Sequence, residues 1–324
     1  MWFKSASVFH FSRKCNFTPE TLEETLKEHE FTAVNKRQLS SYGWVPPMCE
    51  DSEQLVHATT GYMLIKARRE ERILPASVIA EHMADQIQAL EQKLDRKIKG
   101  SEKLEIRDNV VMELTPQAFT RSSYEQILIM PKERLLIVDN VSSKKVDQAT
   151  SLLRESVEKL PIKPVQTDIE QTPMFTRWLK GTKRIPKELT VGDECVLQDN
   201  TDTAGTIRCN KQDLTAEEIK ALSTTGKQVT RMAFETESGI SFVLDEEFNF
   251  HKIKFTDTST EDTDDQGDLD PAAVFDSNVT LMALEFSRLF PNMIEIFGGL
   301  SEDHQDKNPA VRASKPVPQE SVTA

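Results

Sequence analysis

Between Ile79 and Ile98 the apolar residues Ile79, Met83, Ile87, Leu90, Leu94 and Ile98 recur at spacings of four and three. That is the period of one face of an amphipathic helix. Gly100 suits a helix stop, and Leu104, Val110, Val111 and Leu114 predict a second helix. Residues 76–115 therefore read as a helical hairpin, a projecting tip subdomain inserted between β segments. Before it, Trp2 to Phe11 alternates as a strand, and Thr18-Pro19-Glu20 is a cap-and-proline helix start. Gly43-Trp44-Val45-Pro46-Pro47-Met48 reads as a loop, Tyr62 to Ile65 as an apolar strand, and Pro75 as the end of that block. After the hairpin, Tyr124 to Met130 and Arg134 to Val138 predict strands turned at Pro131-Lys132. Val146, Leu152, Leu153, Val157 and Leu160 then mark a helix.

Further on, Val229–Glu235, Ile240–Leu244 and Phe248–Phe255 predict an antiparallel meander, with turns at Ser238-Gly239 and at 245–247. A helical segment follows from Ala272 to Phe297, interrupted at Pro291 and closed by Gly298-Gly299. Helices and sheets are locally segregated, so the class is α+β with antiparallel sheets. The 324 residues exceed one ordinary core and predict several domains. Residues 1–75 and 116–180 form a central α+β domain, 181–300 a base α+β domain, and 301–324 a disordered tail.

The best-specified local signal is Lys211 to Ile219. Thr215 and Glu218 have capping-box spacing, and Glu217 and Glu218 suit the positive end of a helix. Lys211 and Gln212 lie on the approach to that end. The cap does not need them, so Lys211 is either a solvated loop lysine or a residue placed to meet an anion.

Charge changes the picture only once its distribution is read. The net charge is −13. From Phe255 to Ala324 there are 14 acidic and 4 basic residues, a balance of −10, which leaves −3 for the other 254. Basic patches stand in that near-neutral body: Arg177, Lys180, Lys183, Arg184 and Lys187, and again Lys93, Arg96, Lys97, Lys99, Lys103 and Arg107. Nucleic acid is therefore not excluded. No apolar run approaches the roughly 20 residues of a membrane span, and no signal-peptide pattern opens the chain. Cys15, Cys49, Cys195 and Cys209 are widely spaced without a C-x-x-C pair, which suits a reducing cytosol.

Catalytic and cofactor patterns fail one by one. Gly226-Lys227 lacks the earlier glycine of a P-loop, and there is no G-x-G-x-x-G. Asp262 to Gly267 resembles the start of an EF-hand loop, but Ala273 stands where the bidentate glutamate belongs. Asp213 with Glu218 and Lys220 has the residue types of a magnesium site, yet Glu218 is already explained by capping. The six histidines have no metal-ligand spacing. Neither metal nor cofactor is expected, and no enzyme activity. Pro116 to Ser123 combines an aromatic with a base. Phe119 reads first as a core residue and more sharply as an interface anchor, while Arg121 beside its hydroxyls suits phosphate contact.

Five blocks in register resemble the recombination-associated protein RdgC family: Trp2-Phe3-Lys4, Gly43 to Met48, Ala67 to Pro75, Pro116 to Arg121, and Lys211 to Ile219. The resemblance spans roughly residues 1–300, and the segment beyond Gly299 looks like an extension. It implies a crescent-shaped, multi-domain monomer that closes into a ring homodimer around duplex DNA. Such a protein binds without sequence specificity in the nucleoid of the cytoplasm and restrains RecA-promoted strand exchange. On this resemblance Phe119 matches one dimer contact and the pair Lys211-Gln212 the other, with the pair also bordering the DNA. Arg96, Lys97, Arg121, Lys227 and Arg231 are the further candidates for facing DNA. Gln117 stands where the family often has arginine, which removes a phosphate contact there. The alternative is a protein-interaction module that inhibits recombination by touching RecA through its acidic C-terminal region.

Overall fold

The fold was taken from a computed structural model, which describes residues 2–15, 17–49, 52–199, 205–224, 226–255 and 270–301. Helix α1 (Pro19–Lys27) starts as its sequence demands. The Thr18 hydroxyl accepts from the Thr21 amide, the Thr21 hydroxyl answers the Thr18 amide, and Pro19 occupies the first turn. Seven strands make the first sheet, all neighbours antiparallel: β1 (Ser7–Phe11), β2 (Ser40–Val45), β3 (Val56–Thr59), β4 (Tyr62–Arg72), β5 (Thr120–Met130), β6 (Leu135–Val138) and β7 (Ile162–Pro164). Their order is β2-β4-β5-β6-β1-β7, with β3 also on β4.

The loop expected at Gly43 to Met48 is instead strand as far as Val45. Gly43 looks like a turn residue but serves a close approach. A Cβ there would lie 2.6 Å from the Phe31 Cα, because residues 29–31 run alongside β2 with Phe31 N–H donating to the Trp44 carbonyl. The opening strand is shorter than its alternation suggests, and all five of its residues are buried.

Two long helices leave the ends of β4 and β5: α2 (Ala76–Leu94) and α3 (Gly100–Leu114). They pack on each other through Ile98, Ile106 and Val110, with Ile79, Met83, Ile87, Leu90 and Leu114 half-buried around them. Gly100 is not the stop of the first helix but the opening residue of the second. Asp95 takes the left-handed position that ends α2, at φ 52°. On the other face of the sheet from α7 (below), α4 (Ser143–Ser156) packs with α1 over Trp44, whose indole N–H donates to the Ser156 hydroxyl at 2.8 Å.

After α5 (Gln171–Leu179) the second sheet begins: β8 (Leu189–Gln198), β9 (Thr206–Asn210), then α6 (Glu217–Thr224), then β10 (Gln228–Thr236), β11 (Ile240–Asp245) and β12 (Phe250–Phe255), ordered β12-β11-β10-β8-β9. The expected meander is β10 to β12. The capping box is not formed. The Thr215 hydroxyl donates to Asp213 Oδ1 at 2.6 Å, closing a turn one residue early, and the Ala216 carbonyl accepts the first helical bond.

Helix α7 (Pro271–Ile296) runs through Pro291 without a break, since Phe286, Leu289, Phe290 and Met293 anchor it in the core on both sides of the proline. Tertiary packing overrides the local cost there. Gly298 and Gly299, at φ 89° and 90°, then end it as expected. The two sheets are stitched at residues 4–7. Ala6 exchanges both backbone hydrogen bonds with Phe250, and Ile253 N–H donates to the Lys4 carbonyl. One core therefore spans both sheets and α7, rich in ring contacts such as Phe250 edge-on to Phe290 at 5.0 Å and Phe286 tilted against Phe290 at 4.9 Å. The architecture is mixed α and β with antiparallel sheets and, among the described residues, seven α-helices. The acidic stretch from 256 to 269, with its EF-hand-like start, and the tail from 302 onward lie outside the described residues.

Candidate nucleic-acid interface

The second sheet has one face in the core, through Cys195, Leu197, Met232, Phe234, Phe242, Leu244 and Phe250, and presents the other outward. Pairing registers fix what stands on that outer face. Arg208 lies opposite Val196, and Val196 opposite Arg231. At β12 one extra residue intervenes, since Ser241 pairs with Lys254 and Val243 with His251. The bulge is at Lys252, whose φ of 52° is left-handed. It keeps Phe250 and Ile253 buried while His251, Lys252 and Lys254 face out. Arg231, Arg208 and Lys252 line one groove. Lys211, Gln212, Lys252 and Lys254 line another, and the two share Glu194, Val243 and Lys252. Glu194 takes an ion pair from Lys252.

Lys211 itself holds φ 53°, a conformation that costs a residue with a Cβ and is concentrated at functional sites. The bond from Gln212 N–H to the Asp193 carbonyl, 3.1 Å, pins that turn to β8. Beneath this face a buried carboxylate is well held. Burial pushes the Asp245 carboxyl up, but His251 at 2.7 Å and the amides of Asn249 and Glu247 together outweigh it and leave it below the usual range.

The structure thus gathers Lys211, Gln212 and Arg231 on neighbouring grooves and leaves the other candidates elsewhere. Lys227, at the head of β10, gives its ammonium to Asp199. Arg96 and Lys97 lie between α2 and α3, where the Arg96 guanidinium forks onto Glu102 at 2.6 and 3.0 Å. That hydrogen bond first, and the Lys99 amide second, hold the Glu102 carboxyl down to about 2. Arg121 is 3.8 Å from Glu71. Among the described residues, the side chains of Lys97, Lys211 and Arg231 make no ion pair, so their charge is available to a ligand.

Phe119 is not a core residue. It is 85% exposed at the start of β5, beside the half-exposed Leu39 and Ile73. The backbone brings these three together: Arg72 N–H donates to the Leu39 carbonyl and Ile73 N–H to that of Phe119. Sequence reasoning missed Arg208, Lys252 and Lys254. The last two stood in a predicted strand, but strict alternation would have put Lys252 and Lys254 on one side with Phe250. It also missed that Cys195 and Cys209 face each other across β8 and β9. Both are free and buried, and burial followed by the Cys209 thiol pushes Cys195 up to about 12.

No three His, Cys, Asp or Glu side chains gather into a metal-holding group among the described residues, and no described helix is long and apolar enough to cross a membrane. What the outer face offers is electrostatic and hydrogen-bonding capacity.

Residues 1–300 match the protein family described as "Putative exonuclease, RdgC". The chain is 34% identical over 299 residues to "Recombination-associated protein RdgC" of Aeromonas hydrophila, covering 92% of this chain and 98% of the relative. It is 33% identical to proteins of the same name from Pseudomonas aeruginosa, over 300 residues at 92% and 98%, and Tolumonas auensis, over 299 residues at 92% and 99%. With that match running through both sheets, the hairpin and α7, the chain belongs to the RdgC family.

Proposed function

We propose that this protein binds double-stranded DNA without sequence preference, closing as a crescent-shaped monomer into a homodimeric ring around the duplex, and restrains RecA-dependent recombination in the nucleoid. The observation that carries the reading is the outer face of the second sheet. There Arg208, Arg231, Lys211, Lys252 and Lys254 share a surface with Asp193, Glu194, Asp213, Glu235 and Glu246, and Lys211 and Arg231 make no ion pair among the described residues. Cations lining one face are what backbone binding requires, since phosphates give affinity and carry no sequence. An acidic remainder is compatible, because phosphate would meet the unengaged charges of Lys211 and Arg231 and not the net charge of the chain. Phe119 with Leu39 and Ile73 supplies an exposed apolar contact for one closure of the ring, and Lys211-Gln212 border the other.

The test is a titration of duplex DNA at two salt concentrations with the mass of the oligomer measured alongside. Affinity that falls steeply with salt on a dimer supports the reading, and salt-independent or strongly sequence-selective binding ends it. The exonuclease description of the family is tested in the same samples. DNA shortened in the presence of Mg²⁺, and by an active preparation only, would replace the non-catalytic reading.

A further inference from the structure

Thirteen residues separate Cys195 from Cys209 in the chain, and neither is part of a C-x-x-C pair. The fold nevertheless sets them side by side. Strands β8 and β9 pair in the register Glu194 to Asn210, Cys195 to Cys209 and Val196 to Arg208. Directly opposed residues of an antiparallel pair point to the same face, with Cα atoms about 4.5 to 5.5 Å apart. That range falls within the roughly 4.4 to 6.8 Å that a disulfide spans, so the register admits one. Both are free thiols and both belong to the core, Cys195 with no exposed surface and Cys209 with 6%. Burial foremost, and then the Cys209 thiol beside it, push Cys195 up to about 12, so the closed pair stays protonated and inert. The two strands differ in standing. β8 is held between β9 and β10, whereas β9 has five residues and ends the sheet. An edge strand of that size opens at lower free energy than the strands inside it.

We propose that Cys195 and Cys209 are the site of a reversible intrachain disulfide, made by exchange with a small-molecule disulfide, that ties β9 to β8. Opening of β9 brings Cys209 to solvent first, because it stands on the edge strand. Its thiolate attacks one sulfur of the small disulfide and expels the other as a thiolate, leaving Cys209 in a mixed disulfide. Cys195 then loses its proton to solvent, and its thiolate attacks the Cys209 sulfur and expels the second small thiolate. Two electrons pass from the cysteine sulfurs to the small disulfide, and the two cysteine protons end on its two thiols. A dithiol reductant runs the same steps backward. A mixed disulfide that stopped at Cys209 would have to fit its small-molecule half into a core that leaves this residue 6% exposed, so re-pairing of β9 favours the compact intrachain bond. Cys49 is exposed and Cys15 half-buried, and both lie outside the strands.

The experiment follows intact mass on the full chain with Cys15→Ser and Cys49→Ser, which leaves only the pair, during incubation with glutathione disulfide. The expected product is about 2 Da lighter, carries no glutathione, and returns to the starting mass in dithiothreitol. Peptide mapping should join the segment holding Cys195 to that holding Cys209. Closing a loop of about 15 residues should also slow amide exchange of β9 by on the order of 100-fold, since the bond removes the openings that expose it. The same chain unfolded in urea, where both thiols are open, shows when the oxidant has had time to act. Two free thiols in the folded chain once the unfolded one is oxidised, a lasting glutathione adduct at Cys209, or a bridge that leaves exchange of β9 unchanged would each overturn the assignment. Should the serine variants not fold, the unsubstituted chain gives the same answer by mapping, because adducts at Cys15 and Cys49 fall in other peptides. Both readouts are taken without DNA, so their failure leaves the proposed function standing.

Discussion

The helical hairpin and the body around the second sheet are stabilised on very different scales. The hairpin closes on three buried side chains, Ile98, Ile106 and Val110, and its first helix buries none. The body stacks Phe175, Trp178, Phe234, Phe242, Phe248, Phe250, Phe286, Phe290 and Phe297 into one continuous aromatic core. Each such ring buries large area and gains further from tilted contacts. The contrast teaches that the element with the clearest sequence period is the one with the least core. The hairpin is expected to open locally at a free energy well below global unfolding, whereas the body sets the global limit.

The sharpest test of that contrast is Phe250→Ala. The ring is fully buried and lies 5.0 Å from Phe242, 5.4 Å from Phe248 and 5.0 Å from Phe290. Its loss should cost about 3–5 kcal/mol in urea unfolding. A cost below 1 kcal/mol would mean that the aromatic cluster does not carry the body. Carboxylates also separate the two regions. In the hairpin Glu102 is an exposed partner of Arg96, but in the body Asp139 accepts from the Lys4 and Ser5 amides where the two sheets are stitched. Burial foremost raises its carboxyl from 3.8 to about 6, against the pull of those hydrogen bonds. A raised folded-state value means stability present below about pH 4 and lost as pH rises through about 6. Asp139→Asn keeps an acceptor for the amides and should recover about 2 kcal/mol above pH 6 relative to pH 4. Asp245 has the opposite sign, its contribution being present at neutral pH and lost on acidification. A parent and an Asp139→Asn variant with parallel pH profiles would sink the assignment.

Val110→Ala in the hairpin removes about 1.5 kcal/mol of burial, and its signature is regional. Amide exchange should quicken across 76–114 while the strands of the second sheet exchange as before. Uniform acceleration throughout the chain would show one cooperative unit and erase the comparison.

How far this was legible in the sequence follows the same division. Periodicity exposed α2 and α3 because a two-helix unit with one apolar seam repeats its pattern plainly. β8 and β9 were invisible, since they mix outward Glu194, Thr206 and Arg208 with inward Cys195 and Cys209, and alternation over so few apolar residues falls below notice. Gly43 misled because a glycine that admits a neighbouring backbone looks the same as one that makes a turn. Gly100 misled at the hairpin because Asp95 had already taken the left-handed position. Of the candidate interface, Lys211 and Arg231 were legible as charges and Gln212 as a polar neighbour. Their meeting with Lys252 depends on a bulge, which a one-residue irregularity in pairing creates and no local pattern announces. The exposure of Phe119 is likewise a product of tertiary packing, for nothing near it in sequence differs from a core strand's start.

The smallest expected effect bears directly on which region would meet DNA under the proposed function. On the sheet, Arg231 has no ion pair among the described residues, while in the hairpin the charge of Arg96 is already engaged by Glu102 in a two-pronged bridge. A cation that neutralises a phosphate releases a counterion, and its removal lowers the slope of log affinity against log salt by about 0.9. Arg231→Ala should therefore weaken duplex binding by about 1 kcal/mol, equally for unrelated sequences, and flatten the slope by about one. Arg96→Ala should change neither beyond error, because the duplex would have to displace Glu102 to recruit that guanidinium. If Arg96→Ala flattens the slope as much as Arg231→Ala does, the hairpin's ion pair opens on DNA, and the tip contacts phosphate on equal terms with the sheet. If only the Arg96 variant responds, the outer face of the second sheet is not the interface, and the hairpin, for all its thin core, becomes the part of the molecule that holds DNA.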